Sequence, residues 1–426
     1  MNILHINQSD ISGGAAIAGY RLHQGLLNRG IDSRLLVGKA QLKSDRIAAT
    51  KRRYRVENHI GRFSRRMGLN YLNHVSSFDI PQHEFYQQAD LLNFHNLHTG
   101  YFNYLSIPKL TENKPAVFTL HDMWSFTGHC AYSYNCDRWK QGCGKCPDLD
   151  TYPAVARDNT KWEWKLKNWV YSHSNLAIIT LSNWLTEQVQ QSMLSRFPIY
   201  HIPNGIDTEA YQPLDIESCR YALDIPKGKK VLMFCADNLK DRRKGGDLLI
   251  SSLQKIPDLL KKDLLLLVLG NYGEQIASIG IDTINLGYVS SDRLKSIAYS
   301  AADLFIFPTR ADNLPLVLQE SMACGTPMVS FNVGGVPDLV RHNVTGYLAT
   351  PENTEDFSQG IIQLLKDDKT RQKMSQNCRA IAIDEYSLKL QVKRYIEIYQ
   401  QLLSTRLDIV STSKTISNFA TASTRT

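Results

Sequence analysis

Two carboxylic acids, Asp312 and Glu320, are separated by seven residues around the start of a helical pattern. The apolar run 304–308 before them predicts a buried strand. An acid at a strand end and another in the next helix lie at the carboxyl edge of a parallel sheet, where α/β proteins bind ligands. Carboxylates accept strong hydrogen bonds from hydroxyl groups. The pattern indicates a site for a hydroxyl-rich ligand, with the amides of Asn313 and Leu314 as further donors.

A run of cations forms a second candidate site, between the predicted strand 231–235 and a helix predicted from Asp247. Arg243 and Lys244 stand in this run, directly before two glycines. Positioned cations stabilise the charge that develops on a diphosphate leaving group. A set of solvated surface cations that binds no ligand is the alternative interpretation.

The N-terminal half supplies a histidine and a pair of glycines. His121 follows the predicted strand 116–120, where it can donate a hydrogen bond to a ligand hydroxyl or bond only to neighbouring backbone. Gly13 and Gly14 follow the first predicted strand, and glycines there let backbone amides approach a phosphate. Their spacing is not that of the dinucleotide-binding fingerprint, so no nicotinamide cofactor is expected.

The segment around Asp312 resembles the donor-binding signature of the family 4 retaining glycosyltransferases, which have the GT-B fold. That signature is an acid, seven residues, a Glu, a small-residue helix and Gly-Thr-Pro, and residues 312–327 match it. The resemblance implies that Asp312 contacts a donor sugar together with the amides of Asn313 and Leu314. It implies that Glu320 holds the ribose hydroxyls.

The same resemblance implies roles for the other candidates. Lys244 would bind the donor diphosphate, and His121 would lie beside the reacting sugar. Asn238 stands where the family usually has a phosphate-binding Arg, which leaves Arg243 or Arg242 for that role. The N-terminal glycine pair would approach the diphosphate or the acceptor.

Alternating apolar runs and helical patterns predict an α/β protein with two Rossmann-like domains and parallel sheets, and the resemblance implies the GT-B arrangement with a cleft between the domains. We expect an acceptor-side domain at 1–200 and a donor-binding domain at 201–385. A helix at 386–404 is expected to return to the N-terminal domain. The Ser- and Thr-rich segment 405–426 predicts a disordered tail.

Four of the eight cysteines fall within a predicted insert at 123–150: Cys130, Cys136, Cys143 and Cys146. In an intracellular protein such an array more often binds metal than forms disulfides. Four thiolates predict a closed, structural zinc site. Free buried cysteines are the alternative.

The net charge is +8, and seven basic residues are concentrated at 51–66. This segment predicts a surface that binds a membrane or an anionic acceptor. A basic helix face that is only solvated is the alternative. Apolar runs are far shorter than the roughly 20 residues of a membrane span. The N-terminus lacks the pattern of a signal peptide. We therefore expect a cytoplasmic protein with peripheral contact at the inner face of the membrane.

With the resemblance, these features predict a retaining transferase that moves a sugar from a UDP- or GDP-sugar to a glycan or polyprenyl-linked acceptor in cell-surface polysaccharide synthesis. No cofactor for catalysis and no nucleic-acid partner is expected, and the base is expected near residues 287–289. Two alternatives remain at this point. One is a nucleotide-sugar epimerase of similar form, and the other is a zinc-containing nucleic-acid-binding protein.

Overall fold

The computed structural model describes residues 1–238, 241–271 and 279–422, and their contacts divide the chain into two compact units. Unit 1 consists of Met1–Leu181, Thr186–Ile202 and the chain from Gln391. Unit 2 consists of Ser182–Leu185 and Pro203–Leu390. Each unit is built on one parallel sheet, so the predicted α/β class is confirmed.

The sheet of unit 1 has seven strands: β1 (Asn2–Ser9), β2 (Asp32–Lys39), β3 (Ile47–Ala49), β4 (Leu91–Phe94), β5 (Ala116–Leu120), β6 (Leu176–Thr180) and β7 (Ile199–His201). Their order in the sheet is β3-β2-β1-β4-β5-β6-β7. The helices up to β7 are α1 (Gly14–Leu27), α2 (Tyr54–Arg66), α3 (Glu84–Gln88), α4 (Ile107–Thr111), α5 (Thr160–Ser172) and α6 (Asn183–Gln190). β4, β5 and β6 are buried along their whole length, as expected for a parallel sheet covered on both faces.

The sheet of unit 2 has six strands: β8 (Lys230–Asn238), β9 (Leu264–Asn271), β10 (Asp282–Asn285), β11 (Leu304–Phe307), β12 (Met328–Phe331) and β13 (Gly346–Ala349). Their order is β10-β9-β8-β11-β12-β13. The helices here are α7 (Ile216–Ala222), α8 (Gly246–Gln254), α9 (Asp258–Lys261), α10 (Asp292–Ala301), α11 (Leu316–Ala323), α12 (Val336–Leu339), α13 (Thr354–Lys366) and α14 (Asp368–Tyr386). β8 and β11 are parallel neighbours, so the loops that follow them begin at the same edge of the sheet.

The last helix, α15, runs from Leu388 to Ala422. Its buried Tyr399 accepts a hydrogen bond from Asn93 of β4 at 2.7 Å, and Tyr395 shares one with Thr119 of β5 at 3.1 Å. Polar groups inside the sheet of unit 1 are thereby satisfied by this helix.

The segment 405–426, which the sequence predicts to be a disordered tail, continues α15 as far as Ala422. Extending an existing helix adds one hydrogen bond per residue without a new nucleation cost, which offsets the weak helix propensity of Ser and Thr. Residues 423–426 of the predicted tail lie outside the described residues.

The segment between β5 and α5, which contains the cysteines, is organised by a small aromatic core. Trp124 and Trp139 are almost completely buried, and Phe126 packs edge-on against Trp139. The buried ammonium of Lys167 in α5 lies 3.8 Å from the centre of the Trp124 ring. It also donates to the carbonyls of Trp124 and Thr127. The insert is therefore fixed to α5 by packing, a cation–π contact and hydrogen bonds.

Candidate functional site

A cluster of two cations and one carboxylate lies at the carboxyl edge of the sheet in unit 2. Asp312 Oδ2 accepts from Arg243 Nη1 at 2.9 Å and from Lys244 Nζ at 3.1 Å. Arg243 Nη1 also donates to the carbonyl of Ala311 at 3.1 Å. Burial alone raises the pKa of Asp312, but the charges of Lys244 and Arg243 outweigh it and hold that pKa below its ordinary value. The Asp312 carboxylate is therefore ionised at neutral pH, and Arg243 Nη2 also lies 3.7 Å from a second carboxylate, that of Asp241.

Gly245 permits the close approach on which this cluster depends. Its φ is +69°, and a Cβ there would lie 1.9 Å from the carbonyl oxygen of Pro308. A side chain would push the turn at Arg242–Lys244 away from the end of β11. The glycine after the cations thus brings them to Asp312.

The loop from Asp312 to Leu314 is held by the turn after β12. The amide of Gly335 donates to the carbonyl of Asp312 at 3.0 Å, and a Cβ on Gly335 would lie 1.7 Å from the carbonyl oxygen of Asn313. The Asn313 side chain accepts from Ser182 Oγ at 2.6 Å. Both Asn313 and Leu314 are buried, so this loop is fixed.

Glu320 lies in α11 and is 3% exposed. Tyr299 donates its hydroxyl hydrogen bond to Glu320 Oε2 at 3.3 Å, and Lys295 Nζ lies 3.9 Å from Oε1. Both partners belong to α10. The carboxylate of Glu320 is therefore held by side chains of α10 and not by the cations that contact Asp312.

In unit 1, Gly13 and Gly14 stand at the exposed N-terminus of α1. Gly13 has φ +87°, and a Cβ on Gly14 would meet no atom within 4 Å. Sequence reasoning missed the residue that shapes this loop, Asp10. Its buried carboxylate accepts from the amides of Ile11, Gln41 and Leu42. Burial raises the pKa of Asp10, but these hydrogen bonds outweigh burial and lower it overall.

His121 belongs to a group of histidines at the carboxyl edge of the sheet in unit 1. Its Nε2 lies 3.1 Å from Nδ1 of His95, and Nε2 of His95 lies 2.9 Å from Nδ1 of His5. His98 and Asp122 form a second pair, with Nε2 and Oδ2 2.8 Å apart. His95, His98, His121 and Asp122 line a small cavity. Sequence reasoning singled out His121 and missed its partners, although a histidine within an apolar strand was a signal.

The four cysteines of the insert are free thiols in this structure. Cys143 accepts from the amide of Gly128 at 3.2 Å, and Cys146 Sγ lies 3.3 Å from His129 Nε2. Burial raises the pKa of Cys130 to about 12 and that of Cys143 to about 11. Across residues 1–238, 241–271 and 279–422, no group of three or more His, Cys, Asp or Glu side chains is arranged to hold a metal ion. The zinc site stays a prediction, and in this structure the sulfur atoms of Cys143 and Cys146 have different hydrogen-bond partners.

The basic segment 51–66 forms α2 and the residues before it. Arg52 pairs with the buried Glu57 at 2.6 Å, and Arg53 pairs with Asp79 at 2.7 Å. α2 exposes three large apolar side chains, Tyr54 at 65%, Val56 at 52% and Phe63 at 70%. It also exposes four arginines: Arg55, Arg62, Arg65 and Arg66. Within the described part of the chain, no helix is both long and apolar enough to cross a membrane.

The remaining predictions about the donor site concern Asn238 and the segment 287–289. Asn238 ends β8, and its side chain lies outside the described residues. In the predicted base-binding segment, Gly287 has φ +65° and Tyr288 is 70% exposed. The role of this segment in base recognition stays a prediction.

Comparisons with known proteins agree with this two-unit architecture. Residues 12–210 match the family model "Glycosyltransferase Family 4", and residues 215–381 match "Glycosyl transferases group 1". The chain is 26% identical over 430 residues to "Putative colanic acid biosynthesis glycosyl transferase WcaC" of Escherichia coli K12, covering 94% of this chain and 100% of that protein.

Two solved structures have the same fold. HepE of Anabaena, solved in complex with UDP, superposes with a TM-score of 0.67 and 17% identity over 94% of this chain and all of that one. WaaG, a glycosyltransferase involved in lipopolysaccharide biosynthesis, superposes with a TM-score of 0.66 and 17% identity over 91% of this chain and 98% of that one. The two family models together span most of the sequence, and the chain belongs to the family 4 glycosyltransferases and has the GT-B fold.

Proposed function

We propose that this protein is a retaining glycosyltransferase that moves a sugar from a nucleotide-sugar donor, UDP- or GDP-linked, to a glycan or polyprenyl-linked acceptor in cell-surface polysaccharide synthesis. The observation that carries the proposal is the cluster of Arg243, Lys244 and Asp312 in unit 2. The full-length likeness to a protein named for colanic acid biosynthesis supports the class of product. The likeness to a structure that holds UDP supports the class of donor.

The two cations are proposed to bind the donor diphosphate. Three cations, Arg242, Arg243 and Lys244, stand in this turn beside two carboxylates, Asp241 and Asp312, so the turn keeps a net positive charge that attracts an anion. As the bond between the sugar and the diphosphate breaks, negative charge grows on the leaving oxygen, and preorganised cations stabilise it without reorganisation. Asp312 keeps Arg243 and Lys244 in place before the donor arrives.

This assignment alters the role expected for Asp312. The resemblance implies direct contact with the donor sugar, but its Oδ2 accepts from both cations and its Oδ1 accepts from the amide of Asn313 at 3.0 Å. We propose that Asp312 acts mainly by positioning the cations. Glu320 is proposed to accept from the ribose hydroxyls, because a carboxylate can accept several hydrogen bonds besides the one from Tyr299.

Retention is proposed to proceed by front-face substitution. The bond between the anomeric carbon and the diphosphate oxygen breaks, the acceptor oxygen bonds to the same face of that carbon, and the acceptor proton passes to the leaving phosphate. No protein general base is assigned. His121 is proposed to hydrogen-bond a sugar hydroxyl and orient the donor.

Peripheral membrane contact is proposed for the outer face of α2 together with that of α5. α5 exposes Trp162 and Trp169, on a helix that also carries the exposed Lys161 and Lys165. Asn159, just before α5, donates to the carbonyl of Met67, just after α2, so the two helices are linked. Aromatic residues among cations suit the interface of a membrane that contains anionic lipids.

Product analysis tests the proposal against the epimerase alternative. The protein would be incubated with UDP- and GDP-sugars and a polyprenyl-linked acceptor extract, and the products would be followed by NMR. The transferase proposal predicts free nucleotide and a new glycosidic anomeric proton with the configuration of the donor. An isomerised nucleotide sugar formed without acceptor would support the epimerase, and an inverted anomeric configuration would refute retention. Family membership leaves the nucleic-acid-binding alternative without support.

A further inference from the structure

Three histidines from three adjacent strands form one hydrogen-bonded row in unit 1. His5 lies within β1, His95 directly follows β4, and His121 directly follows β5. The order β1-β4-β5 in the sheet places them side by side. The two ring-to-ring distances between nitrogens are 2.9 Å and 3.1 Å, within hydrogen-bonding range. His5 is completely buried and His95 is 2% exposed.

The three rings are neutral at physiological pH. Burial lowers the pKa of His5 to about 3 and that of His121 to about 4, and it takes the pKa of His95 well below its ordinary value. A neutral imidazole has one N–H donor and one bare acceptor nitrogen. His95 uses both nitrogens within the row, so it must donate at one end and accept at the other. Both hydrogen bonds therefore run in the same direction along the row.

The free end of the row indicates that direction. His5 Nε2 is buried and has no hydrogen-bond partner among the residues that the structure describes. If the bonds ran from His121 toward His5, the proton of His5 would be on this nitrogen, as a buried donor without an acceptor. If the bonds run from His5 toward His121, His5 Nε2 has no proton and is only an acceptor without a donor. Among buried backbone groups, orphaned donors are rarer than under-satisfied acceptors, and the same asymmetry favours the second direction.

We infer that His5 and His95 are positioning residues that hold His121 as its Nδ1–H tautomer. His5 Nδ1 donates to His95 Nε2, and His95 Nδ1 donates to His121 Nε2. The nitrogen of His121 that lies outside the row then carries the proton. It meets a ligand as a donor, to a hydroxyl or ring oxygen of the sugar, and does not accept a proton from one. The inference rests on the proposed function only where it identifies the oxygen that accepts this hydrogen bond as an oxygen of a sugar.

Ring-nitrogen NMR tests the inference on the full chain without any substrate. Long-range ¹H–¹⁵N correlations of ¹⁵N-histidine-labelled protein at neutral pH show which nitrogen of each ring is protonated, and the signals of His121 are identified by their loss in His121→Gln. The expected result is Nδ1–H for His121 in the wild type. An Nε2–H pattern would overturn the inference. This measurement uses only the wild type and His121→Gln.

The variant His95→Phe tests the coupling along the row. We expect the fixed Nδ1–H pattern of His121 to be lost, while His59→Gln, a change at an exposed histidine of α2, leaves it intact. A folded His95→Phe protein that keeps the wild-type pattern would show that the row does not set the tautomer. Failure of UDP- and GDP-sugars to bind would refute the proposed function and leave the tautomer result standing, so the two failures are distinguishable.

Discussion

Lys244 Nζ and Asp312 Oδ2, 68 residues apart in the chain, lie 3.1 Å from each other. The contact joins the turn after β8 to the loop after β11, at the edge where parallel α/β sheets bind ligands. Arg243 shares the same carboxylate oxygen, so a single aspartate arranges both cations. This carboxylate therefore holds in place the two cations that are proposed to bind the donor diphosphate.

Replacement of Asp312 is expected to affect nucleotide affinity and turnover in opposite directions. In Asp312→Asn the cations no longer share their charge with a carboxylate, so we expect free UDP to bind up to about tenfold more tightly, which is ~1.4 kcal/mol. We expect turnover to fall, because Arg243 and Lys244 lose the anchor that orients them. Calorimetric titration with UDP and steady-state kinetics measure the two effects. Unchanged affinity together with unchanged turnover would exclude the cluster from the site.

Glu320 is proposed to bind the ribose, so its replacement is expected to weaken the binding only of ligands that contain a ribose. In Glu320→Gln, UDP is expected to bind roughly tenfold more weakly, consistent with the loss of a hydrogen bond to a charged group. Inorganic pyrophosphate, which has no ribose, is expected to bind as it does to the wild type. Competition titrations with both ligands make the comparison. An equal loss for both ligands would contradict the assignment to the ribose.

Acidification is expected to destabilise unit 1. Burial lowers the pKa of His23 and of His74 to about 4, below the ordinary value of 6.5 that they regain on unfolding. Because the unfolded chain binds more protons between these values, the stabilisation is present above pH 6.5 and is lost as the pH falls toward 4. Each histidine contributes a slope of up to about 1.4 kcal/mol per pH unit.

Urea unfolding followed by tryptophan fluorescence from pH 7.5 to 4.5 measures this slope, since most of the tryptophans lie in unit 1. His23→Gln is expected to reduce the slope. His173→Gln, at an exposed histidine of the same unit, is expected to leave it unchanged. A flat profile in the wild type would contradict the account.

Charge reversal on α2 tests the proposed membrane contact. The double variant Arg62→Glu/Arg66→Glu is expected to lose most of its binding to vesicles that contain anionic lipid, because each basic residue near such a surface contributes about 1 kcal/mol. The matched variant Lys227→Glu/Lys262→Glu changes two exposed lysines of unit 2 and is expected to bind like the wild type. Co-sedimentation at several salt concentrations is the measurement. Equal binding by both variants would rule out α2 as the contact surface.

Much of the sheet architecture could be predicted from local patterns in the sequence. The runs 304–308 and 231–235 correspond to β11 and to the centre of β8, because strands buried on both faces are continuously apolar. The contacts between these elements could not be predicted. The pairing of Asp312 with the cations depends on the adjacency of β8 and β11, and the histidine row depends on β1 lying next to β4.

Two glycines illustrate the same limit. Adjacent glycines such as Gly334 and Gly335 are typical of many turns, and nothing in their local sequence indicates a contact with a distant loop. In the structure a Cβ on Gly334 would lie 2.2 Å from the carbonyl oxygen of Asp312, so their small size is what allows the turn after β12 to support the candidate donor loop. A close approach between distant segments leaves no local periodicity in the sequence.

Direct measurement of UDP and GDP binding tests the central claim, that the cations of unit 2 hold the donor diphosphate. Dissociation constants would be measured by calorimetry for the wild type, for Lys244→Ala and for Lys255→Ala. Lys255 is an exposed lysine of the same unit, paired with Glu355, and is the matched control. We expect one nucleotide to bind the wild type and the control equally, and to bind Lys244→Ala about 10- to 100-fold more weakly, as for a lost hydrogen bond between charged groups. Equal affinity of Lys244→Ala and the wild type would contradict the central claim.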